Sequence, residues 1–224
     1  MPSESRRDGA AAREPGQYGR EVLRRTAWRW FATLVLLAAL PLIALAAGAG
    51  GLLVLIAEAA VLGLMVFGDR RVTVGLDRRL RGISGEVKVG AILDGLSADG
   101  WLTVHDAWTG RGNIDHIAIG PGGIVTIETK SQRGQIRTSA VSGRWLAQAY
   151  AERKRLEELI GERVDALLVL SDAYLVGQPV SRQRGVLVLP ARMLAGHLAR
   201  RKPLLTPEQV ETLYTRVVNA LSVV

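Results

Sequence analysis

Asp115, Glu128 and Lys130 lie in a stretch that reads Asn-Ile-Asp-His-Ile-Ala-Ile-Gly-Pro-Gly-Gly-Ile-Val-Thr-Ile-Glu-Thr-Lys, from Asn113 to Lys130. Two short runs rich in Ile, Val and Thr flank Gly120-Pro121-Gly122-Gly123, a strong turn signal, so the runs are predicted to pair as a hairpin. Side chains alternate across a strand with a period of two. Asp115 therefore shares a face with Ile117 and Ile119, and Glu128 shares one with Thr126 and Lys130. Such a hairpin sets two carboxylates close together at a strand end, beside an ammonium. Like charges held that close repel, and a divalent cation is the usual reason to tolerate the arrangement. His105 and His116 invite a metal or general-base role. His116 alternates away from Asp115, however, and is read as a structural histidine of the opposite face.

The surrounding elements form an α/β pattern. Ser84 is predicted to cap a helix running to about Leu96, with Val87, Ala91 and either Leu93 or Ile92 facing inward and Glu86 in the first turn, where the helix dipole favours an anion. Trp101 to Asp106 reads as a strand, and Thr109-Gly110-Arg111-Gly112 as the turn into the Asp115 strand. After Glu128, Gly134 to Thr138 is expected to continue the sheet. Trp145 to Ile160 has helical composition, with apolar positions at Trp145, Ala149, Leu156, Leu159 and Ile160 and a stop at Gly161. Val164 to Leu170 and Gly185 to Leu189 are nearly continuous apolar runs, which suit strands covered on both faces. Residues 191–200 are expected to be helical. Thr206-Pro207-Glu208 starts a last helix whose Val210, Leu213, Tyr214, Val217 and Val218 form a core-facing stripe. Helices packed on a mixed sheet follow.

Hydropathy divides the chain. Phe31 to Phe67 carries no charge except Glu58, is too long for one span of about 20 residues, and has Gly48-Ala49-Gly50-Gly51 near its middle. It is read as a transmembrane helical hairpin, not a cleaved leader, because a leader has a single apolar core. The expected division is a disordered basic cytoplasmic tail (1–26), the hairpin (27–68), a basic juxtamembrane linker (69–83) and the α/β domain (84–224). Arg20, Arg24, Arg25 and Arg29 precede the first span, while Arg70, Arg71, Arg78, Arg79 and Arg81 follow the second. Basic flanks stay on the cytoplasmic side, so both termini and the domain are expected there, at the cell membrane. Small residues within the hairpin offer a route to an oligomer.

The formal net charge of +8 opens two acidic partners, anionic lipid for the arginines flanking residues 27–68 and nucleic acid for the rest. Arg111, Arg133, Arg137 and Arg144 lie nearest in sequence to the acidic stretch and are the expected nucleic-acid contacts. The chain has no cysteine, which agrees with a reducing compartment.

Gly85-Glu86-x-x-Val89-Gly90, then Asn113-Ile114-Asp115-His116, then Gly122-Gly123-Ile124-x-x-Ile127-Glu128-Thr129-Lys130 followed by Gly134 resembles the nuclease-related domain (NERD) family. The resemblance covers roughly residues 80–190. That family is placed by similarity in the Asp…Glu-x-Lys restriction-endonuclease-like superfamily, so the resemblance implies a restriction-endonuclease-like mixed sheet flanked by helices, here preceded by the two-helix hairpin. It further implies that Asp115 and Glu128 bind a metal, Mg2+ or Mn2+, with Glu86 as third contact. Lys130 is then the lysine of the Glu-x-Lys motif, and Gln148, on the following helix, also lies at the catalytic site. The implied activity is a membrane-tethered, metal-dependent nuclease hydrolysing phosphodiester bonds of DNA, with RNA as the second possibility. The alternative is a catalytically inactive nuclease-like module that binds nucleic acid or a protein partner at the membrane.

Overall fold

The structure, a computed structural model, describes residues 13–46, 48 and 50–223. The chain forms two compact units: Tyr18–Arg81, and Gly82–Val224 together with the segment that precedes Tyr18.

The first unit is helical. Helix α1 spans Gln17–Ala46 and runs through Pro41 without ending, while α2 spans Gly51–Asp94. Within α1, Gln17–Ile43 is long and apolar enough to cross a membrane; the apolar part of α2, Gly51–Val61, is shorter than a span of about 20 residues requires. Arg79 donates to Thr26 Oγ1 (3.3 Å), joining the basic part of α2 to the start of α1 inside this unit.

Two expectations are corrected here. The tail was placed at residues 1–26, but residues 17–26 are helical, since Gln17, Arg20, Glu21, Leu23, Arg24 and Arg25 are good helix formers with no proline among them; residues 1–12 lie outside the described residues. Residues 69–83, expected as a linker, are helical as part of α2, and Ser84 is a mid-helix residue, not a cap. Isolated glycines such as Gly75 and Gly82 each cost only about 1 kcal/mol against alanine, and no proline intervenes to stop the helix.

The second unit is a mixed α/β domain. Its strands are β1 (Leu102–Trp108), β2 (Asn113–Gly120), β3 (Gly123–Lys130), β4 (Gly134–Arg137), β5 (Val164–Leu170), β6 (Ala173–Val176), β7 (Ser181–Gln183) and β8 (Val186–Pro190). Its further helices are α3 (Gly143–Ile160), α4 (Leu194–Ala199) and α5 (Pro207–Ser222). A six-stranded sheet has the order β1-β2-β3-β5-β8-β7. β1, β2 and β3 form an antiparallel meander, β3, β5 and β8 are parallel, and β7 closes the far edge antiparallel. Gly134 to Arg137 does not continue this sheet. It pairs with β6 in a separate parallel pair, a partner that local sequence could not announce.

The alternation along β2 and β3 sorts the core into two layers. Ile117, Ile119 and Ile124 pack with Leu156 and Ile160 of α3 and Val210 and Val217 of α5. On the same face Ala166, Leu168 and Val188 meet Leu146 and Ala149 of α3. The other face, with Ala118, Val125, Ile127 and Val169, is covered by Val89 and Leu93 of α2 and Leu194 and Leu198 of α4. The inward positions of α2 are thus Val89 and Leu93, with Leu96 continuing the stripe just past its end, while Val87 and Ala91 are exposed. A stripe at i, i+4, i+7 beats the Val87/Ala91 pair because it buries more apolar surface. The cap of α5 is a reciprocal box: Gln209 N donates to Thr206 Oγ1 (3.4 Å) and Thr206 N to Gln209 Oε1 (2.8 Å).

Candidate active site

The last cross-strand partners of the β2–β3 ladder are His116 and Ile127. One residue beyond, the Asp115 side chain takes over from the backbone: its Oδ2 accepts from Thr129 N at 2.8 Å. Parallel pairing with β5 meanwhile keeps β3 extended through Glu128↔Leu168 to Lys130↔Leu170. Asp115, Glu128 and Lys130 consequently face the layer that α3 covers.

Helix α3 answers with two polar side chains one turn apart. Lys130 Nζ donates to Glu128 Oε1 and to Gln148 Oε1 (3.2 Å). Gln148 Nε2 in turn donates to Glu152 Oε1 (3.1 Å). Glu128 and Glu152 are each 1 % exposed, and apart from the hydrogen bond between the two carboxyl groups the Oε2 of each has no partner. Burying unsatisfied carboxylate oxygens is expensive. The sequence reading placed four of these five side chains, Asp115, Glu128, Lys130 and Gln148, and missed Glu152. Its signal was available: Glu152 is four residues from Gln148, inside the buried stripe Ala149, Glu152, Leu156, Ile160 where an apolar residue is the norm.

The electrostatics follow from crowding. Burial first, then Glu128 and Glu86, raises the Asp115 carboxyl well above its ordinary range, against the Thr129 hydrogen bond and Lys130. Burial and Glu128 push Glu152 up to about 10. For Lys130, burial opposes the charge, but Glu128, Asp115 and Glu152 overcome it and hold the ammonium above its usual value. The site therefore holds its cation firmly and carries more carboxylate than that one cation neutralises.

Glu86 enters through α2, which crosses the strand ends at close contact. A Cβ on Gly85 would fall 1.7 Å from Ser131 Oγ, so only glycine admits the helix here. Lys88 Nζ secures the crossing through Ser171 O (2.9 Å) and Asp172 (3.2 Å), and Ser171 Oγ donates to Ser131 Oγ (3.0 Å). This brings the Glu86 charge within electrostatic reach of Asp115.

The donor set suits a hard divalent cation, since it consists of carboxylates and includes a buried oxygen on Glu128 with no partner but the Glu152 carboxyl. Among the described residues no three His, Cys, Asp or Glu side chains already converge as a ligand set. Asp115 and Glu128 are the residues that fit, with Glu86 farther out.

Arg111, Arg133, Arg137 and Arg144 are all exposed. Arg111 sits in the β1–β2 turn, Arg133 between β3 and β4, Arg137 at the end of β4 and Arg144 in the first turn of α3.

The histidines occupy the opposite face, as the alternation predicts. His116 Nδ1 lies 2.8 Å from His105 Nδ1, and His105 Nε2 lies 3.0 Å from Asp94 Oδ1 and 3.3 Å from Thr103 Oγ1. Burial, then His105, lowers His116 to about 3, so the ring is neutral.

The fold and this cluster set a carboxylate and lysine site at a strand end of a mixed-sheet domain. Residues 81–172 match the family model of the nuclease-related domain. The match takes in Glu86, Asp115, Glu128, Lys130, Gln148 and Glu152 and ends just past β5, short of the roughly 80–190 read from the motifs. A crystal structure of a repair endonuclease from Pyrococcus abyssi is similar with 19 % identity and a TM-score of 0.27, over 51 % of this chain and 42 % of that one. The chain thus spans less than half of that protein's length. No curated protein matches.

Proposed function

We propose that this protein is a membrane-tethered, divalent-metal-dependent nuclease that hydrolyses phosphodiester bonds of DNA, with RNA as the second possible substrate, at the cytoplasmic face. One observation carries the reading: a buried Glu128 shares Lys130 with Gln148 while Asp115 is held beside it by Thr129 N. Phosphodiester hydrolysis needs charge neutralisation at phosphate and an activated water. Mg2+ or Mn2+, when bound, supplies a Lewis acid and lowers the pKa of a coordinated water. Asp115 and Glu128 are the residues to hold it, and Glu86 adds negative field from α2. Lys130, with two of its three N–H groups engaged by Glu128 and Gln148, keeps one donor for a phosphate oxygen. Arg111, Arg133, Arg137 and Arg144 supply sequence-independent backbone contacts.

Tethering is argued from the points where the chain leaves and re-enters the domain. The position of a Cβ on Gly16 is 3.0 Å from Ile83 Cγ2 and 3.6 Å from Glu86 Oε2, and Arg13 forms a backbone bridge with His105. The chain thus departs at Gln17 and returns at Gly82 side by side on one domain. If α1 crosses a bilayer, the apolar part of α2 must cross back, which favours a two-pass hairpin although Gly51–Val61 is short. The flanking arginines then set both ends in the cytoplasm.

Full-length protein in detergent should cleave DNA with Mg2+ or Mn2+, and Asp115→Ala and Glu128→Ala should not. Equal cleavage by those variants and wild type would remove the proposed chemistry. The lack of a preassembled three-residue ligand set favours one second reading, a silent module that only binds nucleic acid. It predicts salt-dependent binding in Asp115→Ala and no cleavage by any form.

A further inference from the structure

We propose that Glu152 is a positioning residue of this site: it holds the Gln148 amide so that the amide oxygen faces Lys130, and so keeps the Lys130 ammonium on Glu128. The effect on turnover rests on the nuclease reading above; the effect on Lys130 does not.

The argument starts from the two ends of an amide. Only the oxygen of Gln148 can accept from an ammonium, and Gln148 sits on an exposed part of α3 where its side chain would otherwise rotate freely. Glu152, one turn on, gives its proton to the Glu128 carboxyl and accepts from Nε2 at Oε1 (3.1 Å), which leaves the Gln148 Oε1 aimed at Lys130 (3.2 Å). A chain of contacts Glu128–Lys130–Gln148–Glu152 then runs from the sheet to the helix and back toward the buried side.

The position of Glu152 makes a packing role unconvincing. Its neighbours in the buried stripe are Ala149, Leu156 and Ile160, and it is 1 % exposed with its carboxyl hydrogen-bonded to that of Glu128. A leucine there would fill the same space without burying a second carboxyl against Glu128, and replacing buried polar groups by apolar ones of similar volume is often stabilising. A residue that costs stability where an apolar one would serve marks a functional constraint.

The test compares Glu152→Leu and Glu152→Gln with wild type in the full chain. Lys130 is labelled with acetic anhydride and its acetylation rate read by mass spectrometry, with melting temperature and DNA cleavage measured on the same preparations. Glu152→Leu should acetylate at Lys130 about threefold faster or more, because a charge-assisted hydrogen bond no longer holds the amine. Glu152→Gln keeps an acceptor for Gln148 and should restore the wild-type rate. Glu152→Leu should also melt higher, by roughly 2–4 °C. Equal acetylation in all three proteins overturns the inference, and so does a Glu152→Leu protein that melts lower or fails to fold, since Glu152 would then serve the fold. A wild type that never cleaves DNA removes the nuclease reading instead and leaves the Lys130 comparison standing.

Discussion

Asp115 and His116 are neighbours on β2, yet they belong to two polar clusters on opposite faces of one sheet, and those clusters are built on opposite principles. On the α2 face His116 is fully buried, leans on His105, and ends at Asp94, which is exposed. One exposed carboxylate closes that chain of contacts, and His116 Nε2 is its one ring nitrogen without a partner. On the α3 face Glu128 and Glu152 are just as buried, but carboxylates outnumber the single ammonium and, apart from the hydrogen bond between the two carboxyl groups, two oxygens lack partners. A polar cluster that ends on an exposed carboxylate is structural furniture; one that crowds buried carboxyl groups until they hold their protons is poised to exchange those protons for a cation. Position in the sheet reinforces the contrast, since the acidic cluster lies where β2 pairing has ended and β3 runs on.

Substitutions that strike one face at a time sharpen this contrast, and the largest effect belongs to the acidic face. Glu128→Gln should lower metal-dependent cleavage by roughly 100-fold or more, the scale of losing a group that organises transition-state charge, whereas His116→Gln should change it by less than about threefold. Comparable losses in both would erase the functional distinction between the faces. Lys130→Met strips Glu128 of its only cation. It should destabilise the domain by about 1–3 kcal/mol in urea unfolding as well as suppress cleavage.

The faces should also respond oppositely to pH. His116 has its pKa lowered from 6.5 to about 3, so below 6.5 the unfolded chain binds a proton that the folded chain refuses. Stability therefore falls as pH drops from 6.5 toward 3, with a slope of up to about 1.4 kcal/mol per pH unit. Glu152 is raised from 4.5 to about 10, so above 4.5 the folded chain keeps a proton the unfolded chain has lost. Its contribution falls as pH rises from 4.5 toward 10. Urea midpoints across that range, in the absence of divalent ions, should lose the acid slope in His116→Gln and the alkaline slope in Glu152→Gln. Swapped or unchanged slopes would contradict the assignment. The smallest effects are expected at the rim, where Arg137→Ala or Arg144→Ala should weaken DNA binding a few-fold and reduce the salt slope by about 1 each.

Much of the acidic face was legible because it depends on local rules. The Gly/Pro turn and the period of two suffice to put Asp115, Glu128 and Lys130 on one side and His116 on the other, and the register Ile117↔Thr126 agrees. What escaped depends on partners far along the chain. β4 pairs with β6, and nothing near Gly134 names that partner. The inward stripe of α2 takes in Val89 beside the expected Leu93 because α4 and the sheet meet the helix there. The unbroken run of α2 through Ser84 shows that a capping residue acts only where the helix has another reason to begin. Glu152 was passed over for a different reason: on a charged helix it reads as one more solvated acid until Lys130 and Gln148 are seen beside it.

The most direct test of the account is Mn2+ uptake by the full-length protein in detergent, followed by the loss of the free-ion electron paramagnetic resonance signal. A saturable site should appear in wild type and in His116→Gln and vanish in Asp115→Asn and Glu128→Gln. No saturable uptake by wild type, or uptake undiminished in both carboxylate variants, would contradict a metal-dependent site at the end of β3.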